Sequence, residues 1–375
     1  MKKVLLGTTA LVAAGLVAAP SFAADPVSLS LGGYYRTAVG AILDDDDGAG
    51  QGGVNAHDYY HEQDVEVHFT GETTLDNGLT VGVNVQLEGQ TQGGDQIDET
   101  WAYVSGSWGE LRIGDEDDVA YNFAYIAPYA GLFGPSTPWF AFSNAGLTPG
   151  NATGGATNFE ALGWYGDTSK LYYTTPSFNG FQLGVSYAPD QSQDTRSNPG
   201  GAFGAGPLVG NSSEDIWAGA LGYSGEFESV SVGLSAGYVT GDNEGAAGTD
   251  AEIWGIGASF GFGSWTLGGS YQDLNAKAGQ GAPFLTDYTF WDVGLTYHAG
   301  AWGVGLGFSR SEATAGNAGS EDDNDVITLG VGYDLGPGVQ VSGGLSYNNF
   351  DNGTTAGGTQ DYDAVSAMMG LTIDY

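Results

Sequence analysis

Leu79, Val81, Val83, Val85 and Leu87 alternate with Thr80, Gly82, Asn84, Gln86 and Glu88, and this period of two recurs in segment after segment from Val27 to Tyr375. A period of two is the signature of a β-strand, whose successive side chains point to opposite faces. One face of each segment is large and apolar. The other carries Gly, Ser, Thr, Asn, Gln, Asp and Glu, a set that a packed interior does not accept. A chain written this way throughout needs a sheet that is greasy on one side and wet on the other. A two-sheet sandwich reads the same over a single strand, so the strand ends have to discriminate.

Those ends are aromatic and keep one spacing. Trp217 and Tyr223, Trp254 and Phe260, Trp265 and Tyr271, Trp291 and Tyr297, Trp302 and Phe308, and Phe181 and Tyr187 are each six residues apart. An even spacing keeps both rings on the greasy face. Six residues cover about 20 Å of strand, roughly 15 Å along a membrane normal at ~40° tilt, so the rings would edge an apolar band of ~25 Å. Two aromatic girdles predict an all-β fold, a transmembrane barrel with lipid outside and a polar lumen inside.

The segments fall at approximately 27–40, 63–74, 79–90, 98–107, 109–117, 169–176, 180–190, 214–225, 229–240, 251–261, 264–275, 287–298, 301–312, 324–335, 338–350 and 362–375. Sixteen is an even number, as an antiparallel up-and-down barrel requires. Short connections such as Asp76-Asn77-Gly78 and Gly336-Pro337-Gly338 predict periplasmic turns, and long ones holding the acidic runs Asp44–Asp47 and Glu321–Asp325 predict extracellular loops. One connection, 118–168, is far longer than the rest, and loops of that length are usually functional.

The N-terminus predicts export. Met1-Lys2-Lys3 is a positive start, Val4 to Ala19 an interrupted apolar run, and Ser21-Phe22-Ala23 a small-x-small cleavage site, so 1–23 reads as a signal peptide and 24–375 as the mature barrel. The chain has 8 basic and 45 acidic residues, and losing Lys2 and Lys3 leaves 6 against 45, a net of −39. Nucleic acid is excluded as a partner by that charge. Disorder is excluded by 21 Tyr, 17 Phe and 9 Trp. The absence of cysteine fits a fold that relies on closure.

Several motif matches dissolve in context. Gly233-Leu-Ser-Ala-Gly237 and Gly257-Ala-Ser-Phe-Gly261 match a hydrolase elbow but lie inside alternating strands with no helix following. Gly48 to Gly53 matches a dinucleotide fingerprint without a strand-to-helix unit around it. His57 and His61 lack the glutamate of a metalloprotease helix, and Asp44–Asp47 lacks the alternating ligands of an EF-hand. No cofactor is expected beyond loosely bound Ca or Mg at the acidic loops. Arg310 shares the parity of Trp302 and Phe308 and is expected to face outward near lipid phosphate or a neighbouring subunit.

The segment Glu99-Thr-Trp-Ala-Tyr-Val-Ser-Gly-Ser-Trp-Gly-Glu-Leu-Arg-Ile-Gly114 leading into the long loop, the strand count, and the terminal Gly370-Leu-Thr-Ile-Asp-Tyr375 together resemble the general diffusion porins of Gram-negative outer membranes, the alphaproteobacterial type above all. The resemblance covers the whole mature chain. It implies a 16-stranded barrel, a homotrimer in contact with lipopolysaccharide, and an inward-folded third loop, 118–168, that narrows each channel. It also implies that Gly370, Leu371, Ile373 and Tyr375 form the signal read by the outer-membrane assembly machinery. Such porins usually set acidic loop residues against a basic wall. This sequence departs from that: Arg36, Arg112 and Lys170 are the only plausible basic wall members, beside Asp64, Glu66, His68, Glu88 and Thr100. Glu116, Asp117 and Asp118 begin the loop, Glu160 and Asp167 end it, and no charge lies between Val119 and Phe159.

The expected function is passage of small hydrophilic solutes through a water-filled channel that prefers cations, since anion selectivity needs rings of Lys and Arg. A solute-specific channel with an aromatic sugar track is the alternative. An adhesive or structural β-protein would have no reason for paired girdles, and a barrel enzyme needs a nucleophile and base that four histidines do not evidently supply.

Overall fold

The computed structural model describes residues 26–45, 59–89, 97–136, 161–191, 213–243, 250–276, 285–315, 321–352 and 362–375. The expected signal peptide, His57 and the centre of the long loop lie outside these residues. The strands are β1 (Ser28–Asp45), β2 (Tyr59–Thr74), β3 (Thr80–Glu88), β4 (Ile97–Gly106), β5 (Gly109–Glu116), β6 (Thr168–Thr174), β7 (Phe181–Asp190), β8 (Ser213–Phe227), β9 (Val230–Asn243), β10 (Ala251–Phe262), β11 (Trp265–Ala276), β12 (Leu285–Ala299), β13 (Trp302–Ala315), β14 (Glu321–Gly336), β15 (Val339–Asn352) and β16 (Tyr362–Asp374). Each pairs antiparallel with its sequence neighbours, and β1 also pairs with β16, which closes the barrel and leaves no free edge.

All sixteen predicted segments are strands. Several run further than the apolar alternation: β1 continues to Asp45 and β14 starts at Glu321, so parts of both acidic runs expected in loops are paired backbone. Ladder hydrogen bonds continue past the apolar band, where a strand meets water and tolerates carboxylates.

The outward face carries the predicted aromatics in neighbouring pairs. Ring centroids lie 4.5 Å apart for Tyr187 and Trp217, 5.4 Å for Trp254 and Tyr271, and 5.0 Å for Trp291 and Phe308. A second row joins Phe181 to Tyr223 at 4.7 Å, Trp265 to Tyr297 at 4.6 Å and Trp302 to Tyr333 at 4.6 Å. Phe260 is outward and exposed as well. Arg310 also faces outward, but its guanidinium is held by Glu312 at 2.9 Å, Asp323 at 3.3 Å and Asp325 at 3.0 Å. These carboxylates take the place expected for a lipid phosphate.

The lumen is not wet throughout, contrary to the uniformly polar inner face expected from the alternation. Ile216, Val239, Ile253, Leu274, Tyr288 and Phe290 point inward from β8 to β12 and are fully buried. They pack against Val119 and Ala120 of a short helix α1 (Val119–Asn122) and Leu162 of the 3₁₀ turn Ala161–Gly163. Each such side chain withdrawn from water contributes about 1.5–3 kcal/mol, so the two roots of the long loop are fastened inside the barrel by an apolar core.

From there the loop follows the inner wall over a shelf of glycines. A Cβ on Gly184 would overlap Val119, one on Gly257 the Tyr125 carbonyl, one on Gly294 the Pro128 carbonyl and one on Gly330 the Ala130 carbonyl. Beyond these, Leu132 and Phe133 reach Ala38 and Met368, on β1 and β16. The described part of the loop thus covers the wall from β7 round to β16 and touches β1 at Ala38.

Candidate functional site

Wall side chains hold the loop against this shelf. Asp292 of β12 is 3 % exposed; its Oδ2 accepts the Ala127 N–H at 2.9 Å and the Ser136 hydroxyl at 2.8 Å. Ser235 Oγ accepts the Tyr125 N–H at 2.9 Å, Gln272 Oε1 accepts the Leu162 N–H at 3.0 Å, and Ser309 Oγ donates to the Pro135 carbonyl at 2.6 Å. Buried loop backbone has no ladder partners, and these contacts replace them. Lys170 of β6 secures the roots: its Nζ donates to the Gly166 carbonyl at 2.8 Å and lies 3.5 Å from Asp118 Oδ1. One buried ammonium ties the departing and returning chain together.

What stays open is a slot between the loop and β1–β4, a cavity of about 640 Å³. The wall contributes Tyr34, Arg36, Asp64, Glu66, Gln86, Glu88, Asp98 and Glu99, and the loop Asp117, Tyr121, Ile126, Tyr129, Ser136 and Asp167. Seven carboxylates therefore face one guanidinium. That guanidinium is already engaged, 3.6 Å from Asp64 and 3.8 Å over the Tyr34 ring, while the Tyr34 hydroxyl donates to Glu66. A cleft lined by one sign of charge with low-dielectric walls concentrates its field, here a negative one.

The carboxylates crowd into two groups, Asp64 with Glu66 and Glu88, and Glu99 with Asp117 and Asp167, the oxygens of each within 4.8 Å of one another. Neighbouring carboxylates resist full ionisation. Burial first, then the Asp167 carboxylate, pushes Asp117 up to about 7 against the pull of Lys170. Burial raises Asp167 too, opposed by its hydrogen bond with Glu99 and by Lys170. Both groups stand at the slot.

The structure brings Arg36, Glu66, Glu88 and Asp117 into the slot. His68 stands beside it, Nε2 2.7 Å from Glu66. Arg112 points inward but is spent on Glu110 at 2.7 Å and Glu116 at 2.8 Å. Asp118 and Lys170 are buried beneath the loop. Thr100, expected in the lumen, takes the outward parity: it pairs with Val85, and the register shifts between Val85 and Leu87 so that Asp98 and Glu99 stand between the outward Ile97 and Thr100. The bulge turns two carboxylates into the slot in place of one threonine. Glu99 is held there by Gln86 Nε2 at 2.6 Å.

Strict alternation with Thr100 inward turns Glu99 outward, and it sets Asp292, Gln272, Ser235 and Ser309 on the inner face without revealing that they anchor the loop. One signal was available for Asp292, an acid at inward parity beside the outward Trp291 with no basic residue near it in the strand. Ser235, the centre of a hydrolase-like motif, is a loop anchor.

The family profile described as Gram-negative porin matches residues 7–353. A monosaccharide porin of Halomonas sp. and the major outer membrane protein of Halomonas elongata are each 22% identical over 306 residues, covering 72% of this chain and 79% of the relative. Among solved structures, in-vitro folded OmpT of Vibrio cholerae in its trimer form superposes with a TM-score of 0.61 at 15% identity, covering 94% of this chain and all of that one. The anion-selective porin of Comamonas acidovorans gives 0.59 at 20% identity over 93% of this chain and 100% of its own. At these identities the structural likenesses carry the fold alone.

Proposed function

From the premise that the chain belongs to the Gram-negative porin family, an outer-membrane channel and not an enzyme, we propose that it passes small hydrophilic solutes by passive diffusion and prefers cations. The observation that carries this is the slot lining, seven carboxylates against one compensated arginine. Polar groups supply hydrogen bonds to water and solute, the loop supplies a size limit, and fixed charge biases which ions enter. The same architecture serves a porin of Comamonas acidovorans described as anion-selective, so the sign of selectivity rests on lining residues and not on the fold. The usual basic wall is replaced here by an acidic one, and the loop adds Asp117 and Asp167 at its ends with uncharged aromatic residues between them.

The paired rows of outward rings read as membrane-interface girdles, and Leu371, Ile373 and Tyr375 as the outward face of an assembly signal. A homotrimer is supported by the trimer form of the Vibrio cholerae protein that shares the fold. Release of sugars of graded size from proteoliposomes tests the diffusion reading. Rates that fall smoothly with solute size and rise linearly with concentration support it. Saturable, competitively blocked flux of one sugar would select the solute-specific alternative, which the name of the Halomonas relative, a monosaccharide porin, favours.

A further inference from the structure

Resting on that cation-preferring reading, we propose that the slot favours organic cations, solutes carrying a guanidinium or ammonium on an apolar stem, over neutral solutes of the same size and, relative to free diffusion, over potassium. The two sides of the slot are chemically unlike. The wall side presents carboxylates, whereas the facing loop, between Asp117 and Asp167 at its two ends, presents Tyr121, Ile126 and Tyr129 from a stretch without charge. A hydrated alkali ion gains from the carboxylates only. A solute with both a cationic head and an apolar stem gains from both, since carboxylates take the charge while aromatic and aliphatic side chains cover the stem and attract the cation.

The lumen already holds two groups of this kind. Arg36 places its guanidinium 3.8 Å over the Tyr34 ring with Asp64 3.6 Å away. Arg112 places its guanidinium 5.3 Å over Trp101 and 4.9 Å over Tyr172, with Glu110 at 2.7 Å and Glu116 at 2.8 Å. In both, a cation on an apolar stem lies between an aromatic face and a carboxylate. Tyr129, 40 % exposed, lines the same slot as the carboxylates. Transport requires that such contacts stay weak, and partly exposed cation–π contacts meet that condition.

L-Arginine and L-citrulline make the test, being nearly isosteric and different in charge. With proteoliposomes containing the full-length protein, arginine enters faster than citrulline by about threefold or more, the scale of one partly exposed cation–π contact. In planar bilayers with arginine chloride opposite potassium chloride, the arginine-to-potassium permeability ratio exceeds the ratio of their free-solution mobilities. Tyr121→Leu and Tyr129→Leu keep an apolar side chain, remove the ring face and return that ratio to the free-solution value. An arginine ratio at or below free mobility, or one indifferent to both substitutions, overturns the proposal. A potassium chloride gradient run on the same channels separates the two readings: no cation preference there defeats the underlying function, whereas cation preference with bulk-like arginine defeats this inference alone.

Discussion

Lys170 and Asp118 face each other at 3.5 Å beneath the long loop, with side chains 0 % and 2 % exposed. The ammonium also holds the Gly166 carbonyl, so the pair joins the two places where the loop leaves and rejoins the wall. Lys170→Met would leave the buried Asp118 without its countercharge, a loss of about 3–5 kcal/mol for a buried pair broken on one side. The barrel ladder is untouched, so the cost falls on the loop roots. Single-channel records should show noisier, larger conductance, and Lys170→Arg should restore the quiet state. Unchanged records from folded Lys170→Met would show that the pair does not position the loop.

Asp292 carries the far side of the loop. Asp292→Ala removes the acceptor for the Ala127 N–H and the Ser136 hydroxyl, each buried group left unsatisfied costing about 1–3 kcal/mol. The segment around Ala127 should come away from β12, and the size limit measured with graded polyethylene glycols should change. Identical exclusion curves for the variant and the unmodified protein would mean that the remaining anchors hold the loop without Asp292.

Acidity should weaken selectivity. Asp117 is raised to about 7, so it is charged above that pH and neutral below it, and Asp167 is shifted in the same direction. Lowering the pH from about 8 to about 5 therefore removes negative charge from the slot and lowers the potassium-to-chloride permeability ratio. Asp117→Asn should flatten the part of the curve near pH 7. A ratio constant across this window would contradict the shift.

Glu99 and Thr100 are neighbours with opposite surroundings, which makes them a paired test. Glu99→Gln removes a slot carboxylate and should lower cation preference, while Thr100→Val on the outward face should leave conductance and selectivity unchanged and stability within about 0.5 kcal/mol. The reverse pattern would restore the unbulged register.

Strands and barrel were legible because period-two alternation and six-residue aromatic spacing are local signals, written into each segment separately. Thr100 was misplaced because a single-residue bulge inverts parity without leaving a mark in composition. The apolar inward residues Ile216, Ile253, Tyr288 and Phe290 were unexpected because what covers them is a loop from elsewhere in the chain. The glycines were visible as a set but read only as small polar-face residues. Their concentration at inward positions of the later strands, Gly255, Gly257, Gly305, Gly307 and Gly330 among them, follows from the close approach of the loop backbone. Arg36, Glu66 and Glu88 were found because charged residues at inward parity have little else to do than face water, and Asp117 because it opens the long loop.

The account turns on the charge of the slot, and the reversal potential of the purified protein in a planar bilayer under an about tenfold potassium chloride gradient reads it most directly. The prediction is a reversal on the cation-selective side that shrinks as the salt rises and the screening length falls below ~8 Å, and that moves toward zero in a Glu66→Gln, Glu88→Gln double variant. A reversal at zero or on the anion side at low salt would contradict the account, however large the conductance.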